Sequence, residues 1–114
     1  METLKVEIDR QKWLRGEGAK ASYLLRPSDG KMCCIGFACL AAGCTPEQIS
    51  NQQIVQSTLT NLYDTPLDFR TNTGDVSLES LYVVNDDLDL EPSEREERLK
   101  RLGLKRGIEF TFVN

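Results

Sequence analysis

The most apolar stretch of the chain is Lys31-Met-Cys-Cys-Ile-Gly-Phe-Ala-Cys-Leu-Ala-Ala-Gly43. Its length corresponds to about three helical turns, so it predicts a central buried helix over residues 31–42. Gly43 is typical of the residue that follows the C-terminus of a helix. A second, short helix is expected next, because Thr45 can cap it, Pro46 suits its first position and Gln48 can complete a capping box.

Both ends of the chain carry an alternating pattern. Leu4, Val6 and Ile8 alternate with polar residues, and the apolar residues of 108–112 do the same. A period of two is typical of a half-buried strand, and each strand alone would be an unprotected edge, so we expect the two to pair. The predicted fold is α+β, a small single domain over residues 1–114, with about four helices packed on a short sheet formed by the N- and C-terminal strands.

Two parts of the chain are predicted mainly from turn and loop signals. A short helix capped by Asp9 is expected to end at Arg15, and residues 27–30 (Pro-Ser-Asp-Gly) are expected to form a turn. Residues 51–76 are rich in Asn, Gln, Ser, Thr and Asp. We interpret them as irregular or extended chain on the surface. Apolar residues are scattered through this stretch at Ile54, Leu59, Leu62, Leu67 and Phe69.

Two further helices are expected in the last third of the chain. Ser77 can cap the first helix. Pro92 opens the second, which runs to about residue 102 with acids in its first turn and bases in its last, as the helix dipole prefers. The first helix would carry on one face Leu78, Leu81, Tyr82 and Asn85. The residues available to hold the second helix are Leu99, Leu102 and Leu104.

Composition excludes several kinds of protein. The chain has 114 residues, 39% apolar and 28% charged, which suits one globular domain. No run approaches the ~20 apolar residues that span a bilayer and no signal segment opens the chain, so we expect a cytoplasmic protein without membrane contact. The absence of histidine removes Ser-His-Asp and Cys-His catalysis and imidazole metal sites. We therefore expect a protein that is not an enzyme and holds no cofactor or metal.

Charge is distributed unevenly along the chain. Residues 1–45 carry a net +2, residues 46–94 a net −9 and residues 95–114 a net +3, which give the −4 of the whole chain. Folding can simply bring opposite signs together, and the alternative is an acidic face that docks on a basic partner. The overall acidity disfavours direct binding to nucleic acid. The candidate partner-binding residues are Asp86, Asp87, Asp89 and Glu91.

Four cysteines lie between positions 33 and 44. Their spacing lacks the paired Cys-x2-4-Cys pattern of structural zinc, so we interpret them as core residues. Gly36, Cys39 and Gly43 would form a small-residue stripe that another element can approach closely. The alternative is a reactive thiol at Cys33 or Cys34, whose pKa a helix N-terminus would lower. That alternative would make the chain a cysteine-dependent enzyme, but one without a histidine to act as base.

A second candidate site lies between residues 10 and 26, where five bases are interleaved with aromatic residues. Guanidinium groups beside aromatic rings can hold a phosphate and stack a base. Such a site would make the chain a sponge that sequesters a nucleotide-derived signalling molecule. The alternative is that the aromatic rings belong to the core and the bases are solvated. The candidate ligand-binding residues are Trp13, Arg15, Tyr23 and Arg26.

Three parts of the sequence resemble a known family. They are Trp13 with the following leucine, the block from Asp29 through Cys33-Cys34 to residue 40, and the stretch from residue 81 to Asn85-Asp86. Together they resemble small, uncharacterised proteins of tailed phages, which join a tryptophan-bearing N-terminal helix to a Cys-Cys-Leu-Gly-like helix and a late Asn-Asp stretch. Here isoleucine stands where leucine is common after the two cysteines, and residues 45–76 lie outside the resemblance.

The resemblance implies a virus-encoded accessory protein that acts inside a bacterium. Small acidic phage proteins are often inhibitors that dock on host proteins, defence nucleases included; this is analogy at the family level. Taken with the acidic centre and the missing histidine, it leads us to expect a non-enzymatic binding protein that inhibits a host factor, for example a bacterial defence component. The nucleotide sponge and the cysteine-dependent enzyme are the alternatives.

Overall fold

The two ends of the chain pair with each other. In the computed structural model, which describes residues 3–56, 59–68 and 77–114, β1 (Leu4–Asp9) lies parallel to β2 (Ile108–Val113). The register places Leu4 opposite Ile108 and Ile8 opposite Phe112. A parallel pair needs a long crossover, which the rest of the chain supplies. The predicted strand pairing is confirmed.

Four α-helices and two short 3-10 helices occupy the described part of this crossover. The α-helices are α1 (Cys34–Ala41), α2 (Pro46–Ile49), α3 (Leu78–Asp86) and α4 (Pro92–Arg106). The 3-10 helices are Ala19–Ala21 and Thr60–Leu62. The predicted α+β fold is confirmed. No helix within the described ranges is both long enough and apolar enough to cross a bilayer.

The central helix α1 is buried as predicted but begins later. Its first residue is Cys34, because Met32 is engaged in a β-bridge to Trp13, with Leu14 N donating to Met32 O at 2.7 Å. A Cβ at Gly36 would overlap the carbonyl oxygen of Leu24, so the predicted close approach is real at this position. After the C-cap Ala42, the amides of residues 43 and 44 donate back to the carbonyls of residues 40 and 39, which is a Schellman motif.

Local capping signals predicted two other helix starts correctly. Thr45 and Gln48 form the reciprocal capping box at the start of α2. Ser77 Oγ accepts from Ser80 N at the start of α3. The turn at residues 27–30 is also present, with Gly30 at φ 73° and its amide donating to the carbonyl of residue 26.

The helix predicted from Asp9 to Arg15 is wrong. Asp9 Oδ1 accepts from Gln11 N at 3.0 Å, and its carbonyl accepts from Lys12 N, so the carboxylate stabilises a turn. The chain then runs into the bridge between Trp13 and Met32. Burial of Trp13 and the following leucine outweighs the local helix signal.

The described residues after α2 (51–56 and 59–68) are irregular, as predicted, apart from the 3-10 helix Thr60–Leu62, but the predicted placement on the surface is wrong for several of them. Leu59, Leu62 and Leu67 are buried in the core, as is the side chain of Asp68. Arg106 fixes this segment by donating to the carbonyls of Pro66 and Asp68 at 2.7 and 3.0 Å. Ile54 does lie on the surface, and Phe69 lies outside the described residues.

Helix α4 is one turn longer than predicted. It continues through Gly103 to Arg106. A Cβ at Gly103 would collide with Ile108 O and the ring of Phe110, so glycine is needed at this position for packing. The helix ends at Gly107, whose φ of 88° supplies the left-handed cap. Leu99 is buried as expected, whereas Leu104 is exposed and the guanidinium groups of Arg95 and Arg106 are buried instead.

Candidate functional site

Asn85, near the C-terminus of α3, holds together three distant segments. Its Oδ1 accepts from Trp13 Nε1 at 2.8 Å and from Cys34 N at 3.0 Å. Its Nδ2 donates to Leu14 O and to Asp86 Oδ1 at 3.0 and 2.9 Å. The side chain is fully buried. Its amide oxygen accepts two hydrogen bonds and its amide nitrogen donates two, so every donor and acceptor of the side chain has a partner. The three segments that contain Trp13, Cys34 and Asn85 therefore meet at one residue.

The residues after Trp13 cap the end of α3. Gly16 N donates to Asn85 O at 2.9 Å, and Gly18 N donates to Asp86 O at 3.0 Å. Both glycines have positive φ values, of 66° and 85°, which let the chain turn across the helix end. This contact fixes the position at which the chain leaves α3 and enters residues 86–91.

Trp13 and Arg15, two of the predicted ligand-binding residues, lie together. The Trp13 indole is buried and packs on Phe112 with ring centroids 4.8 Å apart. The Arg15 guanidinium lies 4.5 Å from the Trp13 ring centroid and donates to the carbonyls of Arg10 and Trp13. Partial burial lowers the pKa of Arg15. Its guanidinium contacts the Trp13 ring and two backbone carbonyls.

The other two predicted ligand-binding residues have separate partners. Arg26 forms ion pairs with Asp29 at 2.6 Å and Glu17 at 3.3 Å. Its guanidinium lowers the pKa of the Asp29 carboxyl to about 2. Tyr23 is half-buried, and its carbonyl accepts from Cys33 N. Within the described residues the contacts join Arg15 to Trp13 but connect neither to Tyr23 or Arg26. The nucleotide site stays a prediction, which these contacts do not favour.

All four cysteines are buried, as the core-packing interpretation predicts. Burial raises the pKa of the Cys33 thiol to about 12 and raises those of Cys34, Cys39 and Cys44 as well. A helix N-terminus would lower the pKa of a thiol, but here desolvation dominates at both Cys33 and Cys34. In the described ranges, no group of three or more Cys, Asp or Glu side chains is arranged to hold a metal.

The predicted partner-binding residues lie at Asp86, the last residue of α3, and on the loop that follows it to α4; we name residues 86–91 the acidic loop. Asp89 and Glu91 are exposed, and Asp86 and Asp87 are half-buried. Asp87 Oδ1 accepts from Asp89 N at 2.8 Å, which closes a local turn. The loop thus presents its carboxylates in a defined conformation.

Arg95 holds the acidic loop from beneath. Its side chain is buried, and Nη2 donates to Asp87 O at 2.6 Å and to Leu90 O at 3.2 Å. A Cβ at Gly16 would lie 3.0 Å from the same guanidinium, so the glycine segment and the loop close around it. Its Nε has no hydrogen-bond partner among the described residues. The guanidinium therefore holds the backbone of the acidic loop at Asp87 and Leu90.

A surface cleft opens between the acidic loop and the outer side of α3, and we name it the α3 cleft. It encloses about 500 Å³. Two of its apolar residues are strongly exposed, Val83 at 60% and Leu88 at 70%. Its acidic lining residues are Glu79, Asp86, Asp87 and Asp89, and no lysine or arginine of the described chain lines it. The arrangement can bind an apolar group that carries positive charge.

Sequence reasoning missed Val83, Leu88 and Asn85 as site residues. Val83 lies outside the apolar face of α3 that was predicted from Leu78 and Leu81. An apolar residue outside that face is expected to be exposed, and the sequence contained this signal. The role of Asn85 depends on partners 51 to 72 positions away, which no local pattern reports.

Comparisons with protein-family models, with curated proteins and with solved structures find no match to this chain.

Proposed function

We propose that this chain is a non-enzymatic, phage-type accessory protein that binds and inhibits a host protein in the bacterial cytoplasm, for example a defence component. The acidic loop and the α3 cleft form the binding surface. The observation that carries the proposal is the cleft itself, where exposed Val83 and Leu88 lie among carboxylates and no basic residue from the described ranges lines it. The partner would present a basic surface with an apolar centre.

The free energy of burying exposed apolar side chains favours a protein partner. Exposed apolar side chains gain free energy when a partner covers them, by roughly 25 cal/mol per Å² of apolar surface. Carboxylates around them contribute specificity and speed of association more than affinity, and they select a basic partner. An apolar centre with a charged rim is the usual anatomy of a protein interface.

The rigidity of the loop also supports docking. Arg95 fixes the carbonyls of Asp87 and Leu90, and the glycine segment fixes the end of α3. A surface that is ordered before binding loses less conformational entropy on association. The inhibitory role and the host setting rest on the family resemblance described above, which is an analogy.

Capture from a bacterial lysate tests the proposal. The bait is the whole chain, and the test variant is Asp86→Asn, Asp87→Asn, Asp89→Asn and Glu91→Gln. Asparagine keeps the Oδ1 acceptors that Asn85 and Asp89 N use, so the loop conformation is retained. We expect the wild type to capture a host protein and to reduce its activity. The variant should do neither.

A second variant controls for the change in net charge. Glu7→Gln, Glu47→Gln, Glu97→Gln and Glu109→Gln removes four exposed carboxylates from other parts of the surface. This control should capture the same protein as the wild type. Failure of the wild type to capture any protein, or equal capture by the loop variant, contradicts the proposal.

A further inference from the structure

The last turns of α4 carry a second exposed surface, which we name the basic turn (Arg101, Leu104 and Lys105). These residues are spaced i, i+3 and i+4 and lie on one side of the helix. Leu104 is 60% exposed, and both basic side chains are exposed as well. In the described part of the chain, neither Arg101 nor Lys105 forms an ion pair within 4 Å.

The basic turn is complementary to the α3 cleft. The turn offers one apolar side chain beside two positive charges, and the cleft offers Val83 and Leu88 among four carboxylates. Four large apolar side chains of the described residues are exposed, and three of them, Val83, Leu88 and Leu104, belong to these two surfaces. Both surfaces are exposed within one molecule, so neither covers the other.

We propose that the chain associates with itself, with the basic turn of one copy seated in the α3 cleft of a second copy. Leu104 enters between Val83 and Leu88, and Arg101 and Lys105 approach the carboxylates around the cleft. The contact joins two different surfaces and is therefore heterologous, so it closes into a symmetric ring or extends into a chain of copies.

The association does not depend on the proposed host protein, but it affects the same surface. A copy seated in the α3 cleft blocks the apolar centre that a host protein would cover, so the two partners compete. Because the contact is small and strongly charged, it should be concentration-dependent and weakened by salt. Self-association would therefore hold the binding surface closed at high concentration and release it on dilution or on encounter with a tighter partner.

Sedimentation of the purified full chain tests this inference. We expect the weight-average mass to rise above the monomer mass between micromolar and millimolar concentration at low salt, and to fall back toward the monomer at high salt. Two double variants test the two sides of the contact separately. Arg101→Glu with Lys105→Glu alters the basic turn, and Glu79→Lys with Asp89→Lys alters the cleft. Each should weaken association by at least about tenfold, because like charges then face each other.

Mixing the two variants gives the decisive result. The basic-turn variant keeps an intact cleft, and the cleft variant keeps an intact basic turn, so the mixture should form a one-to-one pair although each variant alone is monomeric. Circular dichroism and thermal unfolding establish that both variants are folded. Controls with the same change of charge elsewhere, Glu7→Lys with Glu47→Lys and Lys5→Glu with Lys12→Glu, should associate like the wild type.

Three outcomes overturn the inference. One is a wild-type chain that is monomeric across the whole concentration range at low salt. The second is a mixture of the two variants that does not pair. The third is a monomeric wild type that binds a synthetic helix bearing Leu between Lys and Arg residues, which would assign the cleft to a different protein of that chemistry. None of these outcomes removes the proposed binding to a host protein, which the lysate experiment tests separately.

Discussion

The indole of Trp13 donates a hydrogen bond to Asn85 Oδ1 at 2.8 Å, and the two residues are 72 positions apart in the chain. Both side chains are buried. The same oxygen accepts from Cys34 N, so one amide group connects the N-terminal segment, α1 and α3. Because α3 leads into the acidic loop, this connection also positions the proposed binding surface.

Replacement of Asn85 by alanine should strongly destabilise the protein. Trp13 Nε1, Cys34 N and Leu14 O would each lose a buried partner, and we expect a loss of about 3–5 kcal/mol in the free energy of unfolding. Urea denaturation measures it. Trp13→Phe removes the indole donor together with part of the buried ring and should cost about 1–3 kcal/mol. The double variant should lose less than the sum, since both changes remove the same bond; strictly additive losses would contradict the coupling.

Gly36→Ala should be destabilising although alanine is the better helix former. The added Cβ would overlap Leu24 O, which is backbone and cannot turn aside. We expect a loss of about 3 kcal/mol or more in the free energy of unfolding, against the ~1 kcal/mol that alanine gains within a helix. Gly30→Ala is the comparison, because it meets open space and costs only the ~1–2 kcal/mol of a positive φ. A neutral or stabilising Gly36→Ala would show that the two segments can separate.

The buried thiols should make stability fall at alkaline pH. An unfolded thiol ionises near pH ~8.5, whereas burial raises the pKa of Cys33 to about 12 in the folded chain and raises those of Cys34 and Cys39. The folded state keeps these protons up to a higher pH than the unfolded state does. The stability that each thiol contributes is therefore complete below about pH 8.5 and is lost as the pH rises from there toward the pKa of the folded state. Between about pH 7 and pH 10 we expect a loss of about 1–2 kcal/mol for each of these thiols.

Urea denaturation at a series of pH values measures this dependence. Cys33→Ala should lower stability at neutral pH but flatten the alkaline slope, because one titrating group is gone. In parallel, a thiol alkylator should modify the native chain slowly and the unfolded chain at all four cysteines. An alkaline slope unchanged in Cys33→Ala, or rapid modification of the native chain at Cys33, would contradict the burial of this thiol.

Arg95 should act through the acidic loop. Arg95→Met removes the donors to Asp87 O and Leu90 O, and we expect a loss of about 2 kcal/mol in stability together with faster hydrogen exchange at the Asp89 amide. Arg98→Met, on the exposed side of the same helix, breaks only a surface pair with Glu94 and should change stability by less than about 1 kcal/mol. If both variants left the Asp89 amide equally protected, Arg95 would not be holding the loop.

Local signals predicted much of this fold, and long-range contacts account for the rest. The caps at Thr45 and Ser77 and the alternation at both chain ends depend on neighbouring residues, and the structure confirms them. The helix expected after Asp9 failed because the burial of Trp13 decides that segment. The end of α4 was placed one turn too early, because no local pattern reports that Gly103 lies inside the helix, where its lack of a side chain serves the packing against Phe110.

The candidate site was predictable only in its charges. The acidic residues from Asp86 to Glu91 are visible in the sequence as a cluster, and the structure places them at the end of α3 and on the loop that follows it. The apolar half of the surface was not predicted, because the exposure of Val83 and Leu88 depends on how α3 is rotated against the core. The rotation of α3 is set in turn by the partners of Asn85. Arg95 was missed because a charged residue in a charged helix is ordinarily solvated.

The most direct test of the proposed binding surface is a calorimetric titration of the captured host protein with three forms of the chain. The forms are the wild type, the variant with Asp86, Asp87 and Asp89 changed to Asn and Glu91 changed to Gln, and the control with four carboxylates neutralised elsewhere. We expect the acidic-loop variant to lose affinity by about tenfold or more and the control to bind within about threefold of the wild type. Equal affinity of the wild type and the acidic-loop variant would contradict the assignment of this surface as the binding site.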